Sequence, residues 1–211
     1  IAQGFTEPFP IIGHSLGGNI ALYYTASQPQ HVSKLIVLEG LGFSQEAYDK
    51  TLARPMEERW GRAVDRRLNA LKRQPRYFQG VEDGVKRMAS LHPQLRVDQA
   101  RHLALHALKE TSQGHRWKHD PLLTFQPLRP SSPTEYTPLY QTIACPVLLM
   151  YGRDSWASSP KKDGRLDVFQ NAQLIEYEGA GHWLHHDQFE AFIKDCRTFL
   201  AAPTPHHSSP V

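Results

Sequence analysis

One serine in this sequence stands where its hydroxyl could act as a nucleophile. Ser15 lies in the pattern Gly-x-Ser-x-Gly, directly after a short apolar run, residues 9–12, that predicts a buried strand. Glycines at Gly13 and Gly17 would allow a sharp turn from this strand into a helix, because side chains there would collide with the neighbouring elements. The hydroxyl would then project from the sheet. The backbone N–H of Leu16 would point into the same space and could stabilise a developing oxyanion.

A serine hydroxyl needs a general base, and a suitable histidine follows the last predicted strand. His182 ends the run Gly-Ala-Gly-His, whose small residues allow the loop to turn sharply. Two carboxylates also follow predicted strands: Glu39 after residues 32–38, and Asp154 after residues 145–151. Since open parallel sheets bind ligands at the carboxyl ends of their strands, these groups are candidates for one site.

The stretch Gly-His-Ser-Leu-Gly-Gly and the order Ser15, carboxylate, His182 resemble the α/β-hydrolase family. The resemblance implies an α/β fold, in which mostly parallel strands are flanked by helices and a helical cap is inserted. It implies that Ser15 is the nucleophile, His182 the base and Leu16 part of an oxyanion hole. Haloalkane dehalogenases and epoxide hydrolases have a similar layout but carry Asp as the nucleophile, so Ser15 favours acyl chemistry here.

The sequence leaves open which carboxylate orients His182. Relatives usually carry the acid three residues past the glycine that ends the strand, and that position is Ser155 in this chain. Asp154 lies one residue early, and we favour it because a loop absorbs a one-residue shift easily. Glu39 is the alternative, since some dehalogenase relatives have a Glu after the strand that follows the nucleophile's helix.

The predicted core is interrupted by an insertion. The hydrolase core comprises residues 1–42 and 143–201, the helical cap residues 43–142, and a Pro-, Ser- and His-rich tail, residues 202–211, is expected to be disordered. The resemblance also implies that strands and an oxyanion loop precede Ile1, on the order of 80–100 residues at roughly 30 per βαβ unit. We therefore expect a C-terminal part of a hydrolase that is poorly soluble and nearly inactive alone.

Composition indicates a globular protein and argues against several partners. The 211 residues are 40% hydrophobic and 21% charged, and the net charge of +3 is too small to predict nucleic-acid binding. No apolar run is long enough to span a membrane and no signal peptide is visible. Cys145 and Cys196 have no metal-binding spacing, which favours a reduced, cytoplasmic setting.

Residues 54–76 contain eight Lys and Arg residues but only three acidic residues. This run predicts a solvated helix face or, as the alternative, an anionic partner.

Two other interpretations use the same histidine segment. His182, His185, His186 and Asp187 could ligate a metal, but their spacing is not His-Glu-x-x-His. The spacing from His182 to Asp187 also matches a glycerolipid acyltransferase motif, which nothing else in the chain supports. We therefore expect neither a metal nor a cofactor.

The functional prediction is a carboxylesterase-like serine hydrolase acting on a small acyl substrate. Esters, thioesters, lactones and carbon–carbon bonds beside a ketone belong to this class, and the sequence does not choose among them. The alternative is a catalytically silent α/β-hydrolase scaffold that binds a ligand or partner. The oligomeric state is not indicated.

Overall fold

The computed structural model describes residues 4–120, 123 and 130–203. Most of the predicted tail, residues 204–211, therefore lies outside the described residues. The strands are β1 (Phe9–His14), β2 (Val32–Leu38), β3 (Leu108–Thr111), β4 (Gly114–Trp117), β5 (Val147–Gly152) and β6 (Ala172–Tyr177). The α-helices are α1 (Leu16–Ser27), α2 (Gln45–Leu52), α3 (Met56–Lys72), α4 (Val81–Leu91), α5 (Val97–Ala107), α6 (Pro133–Gln141), α7 (Leu184–Asp187) and α8 (Phe189–Ala201).

The chain divides into two compact units. The core unit comprises Ile1–Asp49 and Ser131–Val211, and the inserted unit comprises Lys50–Pro130. The inserted unit is shorter at both ends than the predicted cap, residues 43–142. The difference arises largely because α6 belongs to the core, where Tyr136 and Tyr140 are buried in its main apolar cluster.

A four-stranded parallel sheet in the order β1-β2-β5-β6 forms the centre of the core unit. Side chains alternate between the two faces of a strand, and β2 shows this clearly. Leu35 and Val37 pack with α1 and α6, whereas Ile36 and Leu38 pack with α8. The apolar run of β2 is therefore buried on both faces, as a central parallel strand requires. The predicted α/β class with a mostly parallel sheet is confirmed.

The inserted unit has its own small apolar core. Its buried residues come from α4, α5 and the flanking segments; they are Phe78, Val85, Ala100, Ala104 and Leu108. A short antiparallel hairpin of β3 and β4 follows α5 without a break. The sequence predicts a helical segment here, and the structure adds this hairpin to the helices. No helix in the described ranges is both long enough and apolar enough to cross a bilayer.

Glycines let the turn around Ser15 pack tightly against the end of β2. A Cβ added to Gly13 would lie 2.5 Å from the Gly17 carbonyl oxygen, and one added to Gly18 would lie 2.9 Å from Gly40 Cα. The spacing predicts a steric need for glycine at both Gly13 and Gly17. The structure shows this need at Gly13 and Gly18 instead, because a Cβ on Gly17 would meet no described atom within 4 Å.

The adjacent helical glycines Gly17 and Gly18 should therefore respond to alanine in opposite directions. We expect Gly18→Ala to lower the free energy of unfolding by about 1–3 kcal/mol, because the new methyl group forces α1 away from Gly40 and the end of β2. Gly17→Ala should raise it by about 0.5–1 kcal/mol, because alanine favours the helix and meets open space. Urea unfolding of both variants measures the difference, and equal effects would contradict this packing.

Candidate active site

The turn between β1 and α1 holds Ser15 in a strained conformation. Its φ of 53° lies in the left-handed region that non-glycine residues rarely adopt. The Ser15 N–H donates to the Leu38 carbonyl at 2.8 Å, and the Ser15 carbonyl accepts from the Asn19 N–H at 3.1 Å. Leu16 is the first residue of α1, so its N–H has no acceptor within the helix. The end of β2 and the first turn of α1 thus fix the turn from both sides.

Glu39 is the other non-glycine residue with a positive φ in the described ranges, at 46°. It directly follows β2, and its N–H donates to the Met150 carbonyl of β5 at 3.1 Å. The side chain is fully buried. Its Oε1 accepts the Gly152 N–H at 2.8 Å, and its Oε2 accepts the Ser155 hydroxyl at 2.6 Å. Both donors belong to the end of β5 and the loop after it, so they hold the carboxylate in one orientation.

His182 lies against this carboxylate. Its Nδ1 is 2.6 Å from Glu39 Oε2, the oxygen that Ser155 also contacts. Because an ionised carboxylate only accepts hydrogen bonds, Nδ1 must be the donor. The Nε2 atom of the neutral ring then carries a lone pair and is able to accept a proton. The site therefore contains an imidazole whose orientation is fixed by Glu39.

The sequence favours Asp154 as the acid, but the structure places Glu39 against His182. Asp154 has an exposed side chain, and its backbone N–H donates to the Ala180 carbonyl at 2.9 Å. The position where relatives usually carry the acid is occupied by Ser155, which donates to Glu39. The position three residues past Gly152 therefore does belong to the hydrogen-bond network around His182, although its residue, Ser155, is not a carboxylate.

His14 also contacts this site, although no role is predicted for it from the sequence. Its Nε2 donates to the backbone carbonyl of His182 at 2.8 Å, and its ring lies 4.7 Å from the His182 ring between centroids. Burial lowers the pKa of His14, although the bond to the His182 carbonyl acts in the opposite direction. His14 immediately precedes Ser15, so this bond ties the histidine loop to the turn that carries the serine. The sequence signal for this contact is the position of His14 directly before Ser15 in the Gly-x-Ser-x-Gly pattern.

The histidines after β6 make ring contacts with other histidines. In the part of the chain that the structure describes, no group of three His, Cys, Asp or Glu side chains is placed to hold a metal ion. The rings of His185 and His186 pack against each other with centroids 4.2 Å apart. Asp187 accepts the Gly181 N–H at 2.9 Å and so stabilises the turn before His182.

His185 also packs against His14, with ring centroids 4.7 Å apart. Its Nδ1 is buried and has no hydrogen-bond partner among the described residues. Burial, followed by the nearby rings of His186, His14 and His182, lowers the pKa of His185 from 6.5 to about 3. The ring therefore stays neutral while its environment is folded.

This lowered pKa predicts a loss of stability on acidification. Between pH 6.5 and about 3 the unfolded chain binds a proton at His185 that the folded protein does not bind. The free energy of unfolding therefore decreases as the pH is lowered through this range, and above pH 6.5 His185 causes no such loss. His185→Phe should reduce the protons taken up on unfolding by up to about one. Denaturant titrations from pH 7 to 4 measure this slope. His102→Phe, which replaces an exposed histidine, is the control and should leave it unchanged. Equal slopes in all three proteins would contradict the prediction.

Comparison with known proteins identifies the family to which the chain belongs. A family model described as the alpha/beta hydrolase family matches residues 5–195, and the chain belongs to this family. It is 23% identical over 207 residues to a serine hydrolase-like protein from Dictyostelium discoideum, covering 92% of this chain and 56% of that protein. It is 26% identical over 199 residues to a 2-hydroxy-6-oxononadienedioate/2-hydroxy-6-oxononatrienedioate hydrolase from Paraburkholderia xenovorans, covering 92% and 63%.

A solved structure shares the fold. The thioesterase domain from the curacin biosynthetic pathway superposes with a TM-score of 0.69 at 22% identity, covering 91% of this chain and 67% of that one. The family model confirms the predicted α/β-hydrolase resemblance, and the two curated relatives are themselves named as a hydrolase and a hydrolase-like protein. The chain spans 56–63% of the length of the two curated relatives.

Proposed function

We propose that the protein is a serine hydrolase that transfers the acyl group of a carboxylester or related substrate to water. Ser15 is the nucleophile, His182 the general base and Glu39 the acid that orients it. The observation that carries the proposal is the 2.6 Å contact between Glu39 Oε2 and His182 Nδ1, in a loop bonded to the residue before Ser15. The proposal concerns the whole protein, since this chain spans only part of the length of its relatives.

In the proposed reaction Ser15 Oγ attacks the substrate carbonyl while His182 Nε2 takes the hydroxyl proton. Glu39 stabilises the imidazolium that forms, and the Leu16 N–H donates to the tetrahedral oxyanion. The imidazolium then protonates the leaving group and an acyl-enzyme remains. His182 next removes a proton from water, the resulting hydroxide attacks the acyl carbon, and Ser15 regains its proton as the acid product leaves.

Glu39 suits this role better than Asp154 for a physical reason. A buried carboxylate is costly unless its oxygens are paired, and Glu39 is paired by three donors, one of which is His182. Such a carboxylate cannot rotate away from the imidazole. Asp154 is exposed to solvent, where water competes for its oxygens.

We propose a substrate that carries an acyl group and name no narrower class. Trp156 is 78% exposed, and its ring lies 4.9 Å from the His182 ring between centroids. An exposed indole beside the base offers apolar surface to a substrate.

We propose further that the inserted unit, Lys50–Pro130, acts as a cap that sets substrate choice.

One observation favours the alternative, a catalytically silent scaffold that binds a ligand. Among the described residues, Ser15 Oγ has no hydrogen-bond partner, so the nucleophile and base are not yet in contact. Catalytic hydrogen bonds are often long before substrate binds, and the serine hydrolase therefore remains our preferred proposal.

Labelling by a fluorophosphonate probe tests the proposal in the full-length protein. We expect the protein to be labelled and Ser15→Ala not to be labelled. Glu39→Gln should slow labelling by roughly 10⁴-fold, as the carboxylate-to-amide change at the orienting acid does to turnover in serine proteases. Asp154→Asn makes the same chemical change at the rejected position and should label at a rate close to that of the unmodified protein.

Three outcomes would count against the proposal. If Ser15→Ala is labelled as well as the unmodified protein, or if neither is labelled, the scaffold alternative is the better one. If Asp154→Asn slows labelling while Glu39→Gln does not, Ser15 and His182 keep their roles and the acid is Asp154.

A further inference from the structure

The small net charge of the chain conceals a large asymmetry between its two units. The inserted unit, Lys50–Pro130, holds 17 of the 24 Lys and Arg residues but only 8 of the 21 Asp and Glu residues, a net charge of +9. The core unit holds the other 7 basic and 13 acidic residues, a net charge of −6. A charge imbalance of this size within one unit indicates a preference for anions.

Part of this positive charge surrounds one concavity. A pocket of about 270 Å³ lies inside the inserted unit, between the C-terminal end of α3 with its following segment and the end of β4. The side chains of Arg73, Arg76, Arg116 and His119 line it together with the indole of Trp117. No acidic residue is among its lining residues.

The pocket arginines differ from three other arginines in the same unit. Those three guanidinium groups are paired with carboxylates at 2.6–2.7 Å; the pairs are Arg62–Glu58, Arg96–Asp98 and Arg101–Glu82. Within the described ranges, Arg73, Arg76 and Arg116 form no such pair, and Arg76 lies over the Phe78 ring at 5.4 Å. Like charges that converge without a counter-ion repel one another, and a bound anion would relieve that repulsion.

Trp117 gives the pocket a rigid apolar wall. Its ring packs edge-on against Phe78, with centroids 5.2 Å apart and an interplanar angle of 72°. Phe78 is itself buried in the small core of the inserted unit, so the indole cannot easily turn away. Planar guanidinium groups match the geometry of carboxylate and phosphate oxygens, while an indole face suits an apolar or aromatic body.

We propose that this pocket binds the anionic end of a small organic molecule, a carboxylate or phosphate carried on an apolar or aromatic body. Its volume is slightly below that of pockets for drug-sized ligands, so it accommodates one such group rather than a whole large ligand. Its concave shape and indole wall favour a small molecule over an extended polyanion. The site lies wholly within the inserted unit and does not depend on the proposed catalytic residues.

Calorimetric titration of the full-length protein with four probes tests the proposal. Benzoate and phenyl phosphate carry the two candidate anions on the same ring, inorganic phosphate lacks the ring, and benzyl alcohol lacks the charge. We expect at least one aryl anion to bind about tenfold more tightly than benzyl alcohol, since charge-assisted hydrogen bonds contribute that much. The better of the two aryl anions then identifies the ligand as a carboxylate or a phosphate.

Charge-matched variants locate the site. Arg73→Gln and Arg116→Gln should each weaken binding of the aryl anion by about tenfold, whereas Arg62→Gln removes the same charge from α3 outside the pocket and should not. Arg73 is exposed at the end of α3, so its variant keeps the test valid even if Arg116→Gln folds poorly. The proposal is overturned by equal weakening of aryl-anion binding in Arg62→Gln, or by the absence of binding at 10 mM probe.

Discussion

The buried carboxylate of Glu39 is the constraint on which the candidate site depends. An unpaired charge inside a protein costs several kcal/mol, so this side chain is tolerated only where donors surround it. Its donors are the Gly152 N–H, the Ser155 hydroxyl and the His182 ring. They come from the last residue of β5 and from the segments after β5 and β6, while Glu39 itself follows β2. The sheet order β2-β5-β6 brings these three strand ends together, so the topology of the core and the pairing of one carboxylate are linked.

The other half of the site is organised from β1. Ser15 and Glu39 are both held at positive φ, and the residues around them are packed closely enough to maintain that strain. Gly18 and Gly40 approach each other beneath Ser15, and the Ser15 N–H is bonded to the last residue of β2. The bond from His14 to the His182 carbonyl connects this turn to the histidine loop. Strand β1 at the edge of the sheet is thereby joined to a loop that follows the opposite edge strand.

Much of the fold could be predicted from the sequence because its signals are local. The apolar run of β2, the Gly-x-Ser-x-Gly turn and the loop before His182 each lie within a few residues, and the α/β class followed from them. The choice of acid depends on which side chain meets His182 across 143 residues of chain, and no local pattern carries that information. The same limit applies to α6, whose tyrosines belong to the core only through long-range packing. The hairpin of β3 and β4 was missed because α5 runs into it with no helix-breaking residue.

The tautomer of His182 tests the central claim most directly, and it can be measured without any substrate. Long-range proton–nitrogen correlation spectra of protein labelled with ¹⁵N-histidine report which ring nitrogen carries the proton, with His182 assigned by its absence in His182→Gln. We predict a neutral ring protonated at Nδ1, a preference that is lost in Glu39→Ala and retained in Asp154→Ala. A ring protonated at Nε2, or a preference that survives Glu39→Ala but disappears in Asp154→Ala, would contradict the account.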